Sequence, residues 1–314
     1  MFFEIHIVFD TYMSDSLKAT ERARRQKGAE PVRYRILGNY NTKVPTLKKL
    51  LSHTENKDDL TVLFSEALIV AGKQASKNVT VSFRCDALST FMSDDVTDGL
   101  RSTHEEADIK LILHAVHAAD RGATRIRIFS PDTDVLVLAI RRQPMLPENT
   151  AFVTIGSKRR EIFLKPIFEA LGAKRAAALP AFHALSGADV TGSFSGKGKT
   201  SLWKKFLDAS DNILLALISI GETENISDTT LVEIEKFICA VYRPTNCSIA
   251  IDNLSDLRWW FYSKKQVHGT SMHASYDCIT TSGNCAITLS MHGVESRYTT
   301  SSLTTNNFKL WLVQ

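Results

Sequence analysis

Residues 103–134 constrain this chain more than any other stretch of it. Thr103-His104-Glu105-Glu106 has the form of a capping box, in which a hydroxyl and a carboxylate satisfy the first free amides of a helix. Apolar residues then recur through His114 and His117 and stop near Gly122, a residue suited to the left-handed turn that ends helices. Residues 125–129 alternate arginines with Ile126 and Ile128, which is the period of a strand. Ser130-Pro131 breaks that pattern and Asp132-Thr133-Asp134 follows. Residues 135–140 form an apolar run that fits either a strand or a buried helix. Helix, strand and acidic turn in this order predict an α/β domain built on a parallel sheet.

The flanks extend the pattern. Residues 3–9 read as a strand ending at Asp10, and residues 16–27 as a basic helix. Residues 46–77 have helical spacing and residues 78–83 read as a second strand. Residues 161–188 read as two helical pieces and residues 187–198 as a glycine-rich turn. Helices over 201–209 and 213–220 follow, and Thr230-x-x-Glu233 marks a capped helix running to Val241. From Val267 onward the chain turns to Ser and Thr and loses helical period. The expected organisation is a core over 1–180 with a helical cap around 46–77, a helical region over 181–245, and an atypical, poorly ordered tail over 246–314.

Hydrophobic residues make up 44% of the 314, so a substantial core can be buried. No apolar run approaches the roughly 20 residues of a membrane span. Residues 1–9 are apolar but carry Glu4 and His6, with neither a basic segment nor a small-residue cleavage site, so they do not read as a signal peptide. The expectation is a nuclear or cytoplasmic protein with no membrane partner. The five cysteines include no C-x-x-C pair, which argues against a disulfide framework or a zinc knuckle. A net charge of +4 is only mildly basic, so placement matters more than total. Arg22, Arg24, Arg25 and Lys27 form one cluster; Lys197, Lys199, Lys204 and Lys205 form another.

Acidic residues carry the chemistry. Asp10 ends a strand, Glu105, Glu106 and Asp108 open a helix, Asp132 and Asp134 follow a strand, and Asp189 closes Ser186-Gly187-Ala188-Asp189. Strand carboxyl ends gather on one edge of an open α/β sheet, and sites form there. Carboxylates crowded together raise each other's pKa, and divalent cations relieve the repulsion. Hard oxygen donors suit Mg²⁺ or Mn²⁺, and two such ions serve phosphodiester hydrolysis. Each part also has an ordinary reading. The helix dipole alone accounts for Glu105 and Glu106, and turn chemistry for Asp132, Asp134 and Asp189. Gly198-Lys199-Thr200 ends like a phosphate loop, but the motif needs glycine where Ser193 stands. His104, His114, His117 and His183 lack zinc-ligand spacing and read as structural.

The ordered set resembles the flap-endonuclease and XPG-type nucleases of the PIN-like superfamily, among them a group of animal proteins with the same motifs. The resemblance covers about residues 5–245. It rests on Phe9-Asp10, Ser16-Leu17-Lys18 with Arg24-Arg25, Glu106-Ala107-Asp108, Asp132-Thr133-Asp134, Leu185-Ser186-Gly187-Ala188-Asp189 and Gly196-Lys197-Gly198-Lys199. It implies a three-layer α/β fold with a central, mostly parallel sheet, followed by a helix–two-turns–helix region. It implies a two-metal nuclease in which Asp10, Glu106, Asp108, Asp132, Asp134 and Asp189 hold Mg²⁺ or Mn²⁺. Lys18, Arg22, Arg24, Arg25 and the turn of Gly196, Lys197, Gly198 and Lys199 would grip DNA with duplex and single-stranded parts. The family's earlier strand, with its own metal-binding aspartate, has no counterpart before residue 3. The alternative is therefore an inactive PIN-like domain that binds nucleic acid or protein.

Overall fold

The computed structural model describes residues 4–12, 32–34, 44–156, 159–187, 194, 196–220, 226–243, 250–266 and 309–313. They fall into two compact units, residues 1–167 with 302–314, and residues 168–301.

The first unit is built on one seven-stranded sheet. Its strands are β1 (Glu4–Val8), β2 (Asn78–Phe83), β3 (Asp86–Ser89), β4 (Arg125–Ser130), β5 (Asn149–Thr154), β6 (Glu161–Phe163) and β7 (Lys309–Val313), in the order β3-β2-β1-β7-β4-β5-β6. β1 runs parallel to β2, and β4 to β5. β7 lies between the two pairs and is antiparallel to both β1 and β4. β3 folds back on β2 and β6 on β5, also antiparallel. The class is α/β, as expected, but the sheet is mixed rather than mostly parallel. One cause is local: Arg84-Cys85 turns β2 straight back into β3, with Arg84 at φ +48°, so no crossover helix is interposed; the other is β7, which enters antiparallel between the two parallel pairs.

Alternation along β1 sends its side chains to two different helices. Ile7 and Phe9 join Val79 and Val81 of β2 beneath Ile69 of α2 (Thr54–Gln74), one hydrophobic cluster. This helix follows the short α1 (Leu47–Leu50). A side chain added at Gly72 would place Cβ 2.8 Å from Val79 Cγ2, so glycine permits the helix to approach β2 this closely. Asn56, fully buried, accepts from Tyr34 N (2.8 Å) and Arg33 Nη1 (3.0 Å) and donates to Leu50 O (2.9 Å) and Val32 O (3.0 Å). It thereby ties residues 32–34 to the helical cap expected around 46–77. His6, between Ile5 and Ile7, points instead to α4 (Ala107–Asp120), which packs against β1, β4 and α5 (Thr133–Arg142). The run 135–140 is thus helix, because Asp132 caps it. The short helix α3 (Asp94–Asp98) precedes α4.

The helix α6 (Leu164–Leu171) carries the chain into the second unit, which is helical among its described residues. Its elements are α7 (Ala173–Leu185), α8 (Lys199–Leu207), α9 (Asp211–Ile220), α10 (Asp228–Tyr242) and α11 (Leu254–Gln266). Its core is aromatic. Phe182 stacks on Phe206 with centroids 4.3 Å apart, lies tilted against Trp203 and meets Phe237 edge-on. The cap of α10 is Ser227, whose side chain accepts from Thr230 N, three residues ahead of the Thr230 expected from the sequence. The stretch expected as a poorly ordered tail holds α11, anchored where Glu235 accepts from Leu254 N at 2.6 Å and where Leu257 is fully buried, and it also holds β7. Among the described residues, no helix is long and apolar enough to cross a membrane.

Candidate active site

β1, β2, β4 and β5 all run the same way, so their carboxyl ends share one edge of the sheet. Asp10 leaves that edge two residues after β1. Its Oδ1 accepts from Ala107 N at 2.9 Å, the first amide of α4, and Thr11 N donates to Glu105 O at 2.8 Å. The expected capping box of Thr103 and Glu106 is therefore not formed. Residues 101–106 are not helical, Glu106 holds the N-cap position without capping through its side chain, and the cap comes from Asp10. A carboxylate at a helix N-terminus is favoured by the dipole and satisfies an orphan amide. That amide stands in sequence between Glu106 and Asp108, which are 5% and 2% exposed.

The second acidic pair repeats the device at β4. Ser130 Oγ accepts from Asp132 N at 3.0 Å, and Asp132 Oδ1 accepts from Asp134 N at 3.0 Å, capping α5. Asp134 lies in the first turn of that helix, half-buried like Asp132. The two groups of acids thus sit on the same edge, with β7 between their strands. At about 4.8 Å per strand step, β1 and β4 are roughly 10 Å apart.

A cation lies within this edge that the sequence reading passed over. Lys110, one turn into α4 from Glu106, is 1% exposed. Its ammonium donates to Thr11 Oγ1 and to Arg84 O, while Thr11 Oγ1 also donates to Arg84 O at 2.7 Å. Burial pushes its pKa down to about 8, and the acidic groups Cys85 and Asp10 limit the fall. At neutral pH Lys110 therefore supplies a positive charge beside Asp10. No motif announced it; only its i+4 spacing from Glu106, on the face α4 turns to the sheet, carried a signal.

A polar chain runs deeper between α4 and the sheet. Glu4 accepts from His6 Nε2 (3.3 Å), and His6 Nδ1 shares a hydrogen bond with His114 Nδ1 (2.9 Å). His114 Nε2 in turn is hydrogen-bonded to Ser82 Oγ (2.7 Å). Arg121 holds Glu4 with two hydrogen bonds of 3.0 and 3.1 Å. Burial is opposed by hydrogen bonds from His6 and Arg121, which together keep Glu4 below the usual carboxylate range. His114 is held well below its ordinary pKa, first by burial and then by the charges of His6, His117 and Lys110. This histidine is a core group, in line with its structural reading. His117 is lowered in the same sense, chiefly by burial and then by Arg121.

Asp189, Lys18, Arg22, Arg24 and Arg25 lie outside the described residues. The expected phosphate-gripping turn is described from residue 196 on. Gly196 adopts φ +68°, Lys197 places its ammonium 5.4 Å from the Tyr242 ring, and exposed Gly198 and Lys199 open α8. Carboxylate oxygen is the donor type Mg²⁺ and Mn²⁺ prefer. Among the described residues, however, no three His, Cys, Asp or Glu side chains are grouped so as to hold an ion. No protein-family model, curated protein or solved structure matches the chain.

Proposed function

We propose that this chain is a nuclease-type domain of the PIN-like class, with a three-layer core and a helix–two-turns–helix region, that hydrolyses nucleic-acid phosphodiesters at its acidic edge. The observation that carries the reading is the delivery of Asp10, Glu106 and Asp108, and of Asp132 and Asp134, to one sheet edge by two helix N-termini. In this reading these five acids, with Asp189 as a sixth, would be shared between Mg²⁺ or Mn²⁺ ions. Lys110 offsets part of their charge, so that several carboxylates remain ionised side by side. The amides at Gly198 and Lys199, with Arg22, Arg24, Arg25 and Lys18, would take backbone phosphates of a DNA partner.

The test is Mn²⁺ calorimetry on the full chain beside Asp132→Asn/Asp134→Asn, which keeps an acceptor at the cap of α5 while removing both charges. Binding in the parent chain, lost in the variant together with Mn²⁺-dependent cleavage of a labelled substrate, is the expected result. Equal binding in both chains, or none in either, overturns the hydrolytic reading. The short count of grouped donors among the described residues favours one second reading, an inactive PIN-like domain that retains nucleic acid without turnover. It predicts oligonucleotide retention with no cleavage in either metal.

A further inference from the structure

The acidic edge has a basic neighbour one strand away. Residues 155–160 join β5 to β6 in a hairpin closed by two bonds of 2.9 Å, Thr154 N donating to Arg160 O and Arg160 N to Thr154 Oγ1. β5 ends at Thr154, which lies in register with Ser130, the last residue of β4. The hairpin therefore leaves the edge from which Asp132 and Asp134 depart, about 4.8 Å to the side. It carries two exposed arginines, Arg159 and Arg160.

Arg159 has a fixed seat. Its guanidinium carbon lies over the Phe129 ring, 4.7 Å from the centroid, and Phe129 is the penultimate residue of β4. A guanidinium placed over a ring is held by its face and keeps its rim of N–H donors for another partner. Among the described residues, no carboxylate or carbonyl takes those donors. Arg33, Arg84, Arg101, Arg121 and Arg127, in the same unit, are each paired with a carboxylate. With Asp132 and Asp134 leaving the neighbouring strand end, a loose arginine would ordinarily pair with one of them; the ring holds Arg159 over β4 instead. Shielding Phe129, which is 7% exposed, calls for no charge.

We infer that Arg159 binds a backbone phosphate of the substrate through the free donors of its guanidinium, beside the strand end that presents Asp132 and Asp134. The inference rests on the hydrolytic reading for its ligand, and it adds a residue outside the cations that the nuclease resemblance supplies. Two parallel N–H donors match two phosphate oxygens, a geometry that a lysine ammonium does not reproduce. The stack on Phe129 fixes the guanidinium before substrate arrives, so less side-chain freedom is lost on binding.

The experiment is fluorescence anisotropy of a labelled DNA duplex with a single-stranded tail, titrated in Ca²⁺ across a series of KCl concentrations. Mn²⁺-dependent cleavage of the same DNA is followed alongside. The full-length chains are the parent, Arg159→Met, Arg159→Lys and Lys73→Met. Methionine keeps a long side chain over Phe129 and removes the charge. Lys73→Met removes an exposed charge at the opposite edge, where α2 ends ahead of β2. Thermal midpoints establish that each variant is folded. Arg159→Met should bind about tenfold more weakly, and its slope of log affinity against log salt should be shallower by about 0.9, the signature of one lost phosphate contact. Arg159→Lys should keep the slope and bind with an affinity between those of the parent and Arg159→Met. Lys73→Met should match the parent. A slope unchanged in Arg159→Met, or lowered equally in Lys73→Met, overturns the inference, and hydrolysis stands if the parent cleaves. The expected loss in Arg159→Met with no cleavage by any chain overturns the hydrolytic reading alone. A parent that neither binds nor cleaves overturns both.

Discussion

Lowering the pH from 7.5 to 5.5 should loosen the first unit through His114. The unfolded imidazole titrates near its ordinary 6.5. In the folded chain the ring is fully buried, is hydrogen-bonded to Ser82 Oγ and His6 Nδ1, and stays neutral well below that value. Because the folded pKa is lowered, the unfolded state binds the extra proton, and stability falls as pH drops below 6.5. For one such group the loss between pH 7.5 and 5.5 is about 1.4 kcal/mol, or roughly tenfold in the unfolding equilibrium. His117, partly exposed and lowered in the same direction, adds a smaller share. Glu4 works at more acid pH, and Lys110, with its pKa near 8, is mostly protonated in this window and adds little. The assay is hydrogen exchange of the backbone amides of β1 and β2, read at the two pH values and corrected for intrinsic exchange. His114→Asn should be less stable than the parent at both pH values and should lose most of the difference between them. Protection that is unchanged or greater at pH 5.5, or an equal acid loss in His114→Asn, refutes the reasoning.

Asp10→Ala should cost about 1 kcal/mol of stability through the lost cap of α4, whereas Asp10→Asn, which keeps the acceptor for Ala107 N, should cost less while removing the charge; equal denaturation midpoints for the two variants would contradict the capping role. Gly72→Ala should destabilise the first unit by about 1–3 kcal/mol, because its Cβ would stand 2.8 Å from Val79 Cγ2; a thermal midpoint equal to the parent's would show that α2 gives way freely.

Much of the first unit was legible. β1, β2 and β4 announce themselves by β-branched and aromatic residues, and α2 and the helices of the second unit by their apolar spacing. The miss at α4 is instructive. Thr103 and Glu106 have the right spacing for a capping box, but Asp10, distant in sequence and adjacent in space, takes the amide instead, and a local rule cannot weigh a tertiary competitor. The helical state of residues 135–140 stayed open for a related reason: a short apolar run is decided by its cap, and Asp132 serves equally as a turn residue. β3 and β6 are too short to show a period. Lys110 was invisible because a lysine in an amphipathic helix ordinarily faces water, and only the sheet edge above it makes that position an interior one. The acids at the edge were found by type and order, while the strand that separates them came from a stretch whose composition suggested none.

The position of β7 also orders events during synthesis. β1 and β4 leave the ribosome well before the strand that bridges them, and the whole second unit is made in between. Until residues 309–313 arrive, the β1–β2 and β4–β5 pairs each present an open inner edge, a template for any extended segment nearby. The sheet therefore closes after translation of its other parts, by a contact between distant stretches of chain, which is a slow kind of closure exposed to mispairing.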